Sequence, residues 1–292
     1  MTPRAPRNVA ASIRQRLLNH AKQHDAIFQD VLVRFGTERL LYRLSQSRYR
    51  DGFLLKGAVL FAAWAGAPHR PSRDADLLGL KAASVEELLA IFQEIVLAPD
   101  PSDGLVFDPQ SLRAAEVTED QDYPGVRLTL QASLDAAVIP LQIDVAFGQA
   151  VAPEPQVVEL PTLLELPAPR LRAYPPEAVV AEKFEALVKL GMVNSRLKDF
   201  YDLWYLLSRL GLQPDGLAAA LAATFTGRRT ALPAETPAAL TPAFFDDPAR
   251  RRQWKAFLDR AGIPNADQAT LAHVMATIRD SLMPIARRLL AR

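Results

Sequence analysis

The sequence predicts an α+β protein, with a mixed-sheet domain through residue 170 and a helical bundle domain over residues 171–292. Three observations carry this. In the middle of the chain, Val126, Leu128 and Leu130 alternate with Arg127, Thr129 and Gln131, and Leu141, Ile143 and Val145 alternate with Gln142, Asp144 and Ala146. That period of two belongs to half-buried strands, and its two-sidedness favours a mixed or antiparallel sheet. From Pro175 onward the apolar spacing is helical instead. Between the two regions lies a proline cluster from Pro153 to Pro176, where missing donors interrupt regular structure.

The elements follow in order. Asn8 is a cap for a first helix with apolar positions Ile13, Leu17 and Leu18. A second helical pattern runs from Ile27 through Phe35 to Leu44, with Gly36 and Thr37 as an expected interruption. FLLKGAVLFAAWAG then reads as a short apolar run, a turn at Lys56-Gly57 and a helix ending near Gly66, and DADLLGL from Asp74 reads as a strand. In the second region the predicted helices are Pro176 to Gly191, Ser195 to Leu210, Pro214 to Phe225, Pro248 to Ala261 and Asp267 to Ala291. The first of them starts on Pro and ends on Gly, as helix chemistry prefers.

Composition bounds the function. The 292 residues carry 34 Lys plus Arg against 33 Asp plus Glu, a net charge of +1, with 49% apolar residues, as expected of a soluble globular protein. No apolar run approaches the roughly 18 residues of a spanning helix, and MTPRAPRNVAAS lacks the apolar core of a secretion signal. The expected location is cytoplasmic, with no membrane partner. The absence of Cys removes disulfides, thiolate zinc sites and Cys nucleophiles. The charge is unevenly spread: residues 1–24 hold Arg4, Arg7, Arg14, Arg16 and Lys22 with no acid, and Arg250, Arg251, Arg252 and Lys255 cluster late in the chain. A local basic surface for RNA is compatible with the near-neutral sum.

Two groups of residues could carry chemistry. Asp74 and Asp76 sit two apart on a strand, so both carboxylates face one way, an arrangement that repels unless a cation lies between them. Mg²⁺ suits such a pair together with substrate phosphates. The pair alone says little, because Asp120 and Asp122 make another. Asp144, on the polar side of its strand, joins the pair if the two strands are neighbours. Lys56-Gly57 and Arg70 complete the outline of a phosphate and metal site. The second group has Glu182 and Lys183 on one helix and Arg196, Lys198, Asp199 and Asp202 on the next, beside Tyr201, Trp204 and Tyr205. Lys198 and Asp202 are four apart and would make a surface ion pair on their own. His20 and His24 are one turn apart and could bind a metal, but with no Cys nearby a metal site is not expected there. Trp64, Trp204 and Trp254 fit packing positions.

LKGAVLF, RPSRDADLLG, YPGVRL, LQIDVAFG and YPPEAVVAEKFEALVKLGMVNSRLKDFYDLWYL, in that order, resemble the AbiEii/AbiGii toxin family of nucleotidyltransferases, as do TFTGRRTALP and QWKAFLDR near the end. The resemblance implies a polymerase-β-like nucleotidyltransferase domain over residues 1–170 with N-terminal helices, then a helical domain over 171–292. It implies Mg²⁺ held by Asp74, Asp76 and Asp144 in a two-metal site, with Lys183, Asp199 and Asp202 as further catalytic positions. Lys56, Gly57, Arg70, Ser72, Lys183 and Lys198 would bind the nucleotide. The implied activity moves NMP from an NTP to RNA, particularly the 3′ end of tRNA. It would block translation and growth and be neutralised by a separately encoded antitoxin. Gly57-Ala58 departs from the Gly-Ser of the wider superfamily, so that hydroxyl contact falls to the backbone, Lys56 or Ser72. The departure favours an alternative: an inactive nucleotide-binding component of a toxin–antitoxin or phage-defence complex.

Overall fold

A computed structural model describes residues 8–65, 74–117, 125–148, 151–261 and 269–291. The chain divides into two compact units, one of residues 1–148 and 157–173, the other of 149–156 and 174–292.

The first unit opens with α1 (Val9–Gln23), whose first turn is capped by Asn8 accepting from the Ala11 N–H at 3.0 Å. Helix α2 (Phe28–Gln46) runs without a break through Gly36 and Thr37. Glycine in a helix costs about 1 kcal/mol against alanine, but at Gly36 a Cβ would lie 3.0 Å from Leu141 Cδ2 and 3.2 Å from Ile139 Cγ2. The residue therefore marks a close approach of helix to sheet, not a break. Next come β1 (Phe53–Lys56), α3 (Leu60–Ala65) and β2 (Asp74–Gly79). Helix α4 (Val85–Leu97) follows, announced by a capping box in which Ser84 Oγ accepts from the Glu87 N–H and the Glu87 carboxylate accepts from the Ser84 N–H. Strands β3 (Val106–Val117), β4 (Gly125–Leu134), β5 (Ala137–Phe147), β6 (Gln156–Glu159) and β7 (Arg170–Ala173) complete a seven-stranded sheet of order β3-β4-β5-β2-β1-β7-β6.

The sheet is mixed: β2 pairs with β5 and β1 with β7 in parallel, whereas β1–β2, β3–β4 and β4–β5 are antiparallel. Alternation sorts its two faces. Ala75, Leu77, Val126, Leu128, Leu141, Ile143 and Val145 are buried, and α2 packs on β5 there. Asp74, Asp76, Arg127, Gln142 and Asp144 lie on the other, half-buried face. Buried charge ties α2 to the segment after α4. Asp103, fully buried, accepts from Arg39 Nε at 3.2 Å and Arg43 Nη1 at 2.8 Å, and Arg39 also reaches Asp100 and the Pro167 carbonyl.

The second unit is helical: α5 (Pro176–Leu190), α6 (Leu197–Arg209), α7 (Pro214–Gly227), a short α8 (Pro242–Phe245), α9 (Pro248–Ala261) and α10 (Leu271–Leu290). Helix α5 starts on Pro176 and stops at Gly191, whose φ of +49° suits a residue without Cβ. Asp267, the expected start of the last helix, lies outside the described residues; the α10 helix is capped by Thr270, which accepts from the His273 N–H at 3.3 Å. Trp204 and Trp254 are buried packing residues, and Trp254 Nε1 donates to the Ala269 carbonyl. No described helix is long and apolar enough to cross a membrane.

Candidate active site

Backbone register places the first group. The parallel pairing of β2 with β5 sets Asp76 opposite Asp144, and antiparallel neighbours set Lys56 opposite Asp76 and Arg127 opposite Asp144. One row across four strands therefore reads Lys56, Asp76, Asp144, Arg127, in charge +, −, −, +. Asp74 lies two residues before Asp76, on the same face, opposite Gln142. One carboxylate oxygen from each of Asp74, Asp76 and Asp144 lies within 4.8 Å of the others, the one such cluster of three metal-ligating groups among the described residues. Three hard oxygen donors on a rigid sheet fit a Mg²⁺-sized cation, which takes carboxylate oxygens and leaves its other positions to water and phosphate.

The turn after β1 is shaped around this row. Gly57 has φ +77°, and a Cβ there would come within 1.9 Å of Asp76 Oδ2. Both the left-handed backbone and the approach of the carboxylate exclude a side chain. Asp144 is held from two sides. Arg127 donates through Nε to Oδ1 at 2.8 Å and through Nη2 to Oδ2 at 2.9 Å, and Gln142 Nε2 donates to Oδ2 at 3.1 Å. Arg70 and Ser72, expected at the nucleotide site, lie outside the described residues.

Beside Asp74 a small cleft of about 50 Å³, partly open to solvent, is lined by Arg34, Thr37, Glu38, Val59, Ala62, Leu160 and Pro161. Burial pushes the Glu38 carboxyl up to about 7, against the opposing pull of the Leu163 N–H, Arg39 and Arg34. Glu38 Oε2 accepts from that N–H at 2.8 Å. Sequence reasoning passed over Glu38 because an acid within a helical pattern resembles any solvated position. Arg127 was visible inside YPGVRL, but its role needed the strand register.

In the second unit, Lys183 on α5 bridges two acids of α6: its ammonium donates to Asp199 Oδ1 at 2.5 Å and lies 3.0 Å from Asp202 Oδ2. Burial alone would lower the ammonium's pKa. Asp199 and Asp202 outweigh it, and the net shift is upward, so Lys183 stays charged. Asp202 is fully buried and Asp199 nearly so. The expected pairing of Lys198 with Asp202 is not the arrangement found: Lys198 is exposed, and Asp202 turns inward to Lys183. Glu182 and Glu185 on the same helix hold Arg228, at 3.3 and 2.9 Å. His20 and His24 stack at 4.1 Å, with no third ligand among the described residues. Of the basic residues on α9, Arg250 donates to the Asn194 and Met192 carbonyls, Arg251 pairs with Asp246, and Lys255 with Asp259. The basic cluster expected there is largely engaged within its own unit.

A family model described as nucleotidyl transferase AbiEii toxin, type IV TA system, matches residues 39–275. The chain belongs to the AbiEii family. This member is accordingly a nucleotidyltransferase of a type IV toxin–antitoxin system. Its fold is similar to the crystal structure of JHP933 from Helicobacter pylori, at TM-score 0.50 and 15% identity, covering 94% of each chain. A second H. pylori crystal structure aligns at TM-score 0.47 and 15% identity, over 94% of this chain and 96% of that one. No curated protein matches. The AbiEii match spans both the acidic row and the Lys183 cluster.

Proposed function

We propose that this AbiEii protein transfers NMP from an NTP to an RNA acceptor, the 3′ end of tRNA being the favoured one. Translation and growth would stop, and a separately encoded antitoxin would relieve the block in the cytoplasm. The single observation supporting the chemistry is the convergence of Asp74, Asp76 and Asp144 within 4.8 Å on adjacent strands. These residues would hold Mg²⁺ in a two-metal site, which when bound offsets triphosphate charge and activates the acceptor hydroxyl for in-line displacement at the α-phosphate, releasing pyrophosphate. Gly57 keeps room for the Asp76 carboxylate, and Lys56 places a cation at the end of β1 for the phosphates, with Arg70 and Ser72 as further phosphate contacts. In the helical unit, Lys183, kept protonated by Asp199 and Asp202, is a further position on which activity would depend. Lys198, exposed on α6, is a further functional position of that unit.

A second reading rests on Gly57-Ala58, which offers no hydroxyl: the protein binds nucleotide without transferring it. Incubation with Mg²⁺, each α-labelled NTP and total RNA tests both. Label in RNA is the expected result; bound nucleotide with no label in RNA for any NTP selects the second reading.

A further inference from the structure

Both oxygens of Asp144 are already occupied, by the fork of Arg127 and by Gln142. The fork is the geometry in which guanidinium binds carboxylate best, and it matches phosphate equally well. Arg127 is 33% exposed and Asp144 21%, so the pair is only partly desolvated and can exchange partners without stranding a buried charge. Its position is set by backbone pairing, since Arg127 and Asp144 face each other across the β4–β5 ladder. Gln142, neutral and two residues from Asp144, can keep that carboxylate oriented when the guanidinium leaves.

Building on the reading of the acidic row as a divalent-cation site, we propose that Arg127 is a positioning residue that competes with the cation for Asp144 and releases it to the phosphates of an incoming nucleotide. Two cations cannot share one carboxylate without mutual repulsion. The metal alone then binds weakly, and an anion that draws Arg127 away strengthens it. By linkage the two ligands favour each other's binding. A mere prop for Asp144 would act in the opposite direction, because removing it would disorder a metal ligand and weaken metal binding.

The sign of one measurement separates these. The full chain is titrated with Mn²⁺ without nucleotide, and free Mn²⁺ is read by its electron paramagnetic resonance signal. Arg127→Gln should bind Mn²⁺ about tenfold more tightly than wild type, the scale expected from removing a unit charge that competes for the same carboxylate. Arg127→Lys, which keeps the charge but loses the fork, should show a smaller gain and serves if the Gln variant does not fold. Asp144→Asn should bind more weakly than either. Unchanged or weaker Mn²⁺ binding in a folded Arg127 variant overturns the competition. Absence of saturable Mn²⁺ uptake by wild type and every variant overturns the acidic-row reading as well.

Discussion

The acidic row of the sheet and the Lys183 cluster of the helical unit use the same residue types in opposite ratios. On the sheet, three carboxylates converge, with guanidinium and ammonium groups at the two ends of the row. Between α5 and α6, one ammonium sits between two carboxylates that have almost no access to water. The first arrangement is half-buried and gathers three acids, with Arg127 forked onto one of them, into an oxygen cluster that fits a cation supplied from outside. The second is closed and carries its own. The half-buried row is open to an exchangeable ligand, whereas the buried ammonium is caged by its own carboxylates.

The largest expected effect tests the half-buried row. Asp76→Ala should lower transfer of label to RNA by on the order of a thousandfold or more and abolish growth inhibition, since it removes a carboxylate of the proposed metal site. Full retention of transfer would break the comparison. The next effect has the opposite character. Lys183→Ala should lose about 3–5 kcal/mol in urea unfolding by leaving Asp202 and Asp199 buried without their counter-charge. A loss of activity with unchanged stability would show that the cage is not closed.

Glu38 sharpens the contrast as a buried acid beside the row whose desolvation outweighs its pairing with Arg39 at 3.7 Å. Its folded value of about 7 lies above the ordinary 4.5, so the folded state binds more protons than the unfolded one between those values. Stability from this group is greatest below about 4.5, declines as pH rises to about 7, and is level above. Glu38→Gln should remove that slope and leave the variant more stable than wild type by up to about 3 kcal/mol at pH 8, with little difference at pH 4. Melting temperatures across that range read it. The smallest effect lies away from both clusters: Ser84→Ala should cost about 1 kcal/mol by uncapping α4, with transfer unchanged.

Much of this was legible along the chain. The alternation around Arg127 and Asp144 declares strands, Asn8 and Pro176 declare helix starts, and Asp74 with Asp76 declares two carboxylates on one side. Gly36 misled, because helix propensity is local and its compensation is a contact with Leu141 more than a hundred positions away. Helix α4 was passed over although Ser84 and Glu87 carry its capping box. The Lys198–Asp202 spacing suggested a surface pair, but spacing says nothing of which neighbour a buried acid will choose.

By itself, then, the sequence determined the element types, the polar and apolar face of each strand and the inventory of charged groups, because these depend on residue chemistry and on periods of two and 3.6. Only the tertiary structure decided that β2 pairs with β5 in register, bringing Asp76 beside Asp144. It also decided that Arg127 closes on Asp144 and that Lys183, not Lys198, meets Asp202. Strand order and helix packing are fixed by burial summed over the whole chain, and no local spacing records that sum.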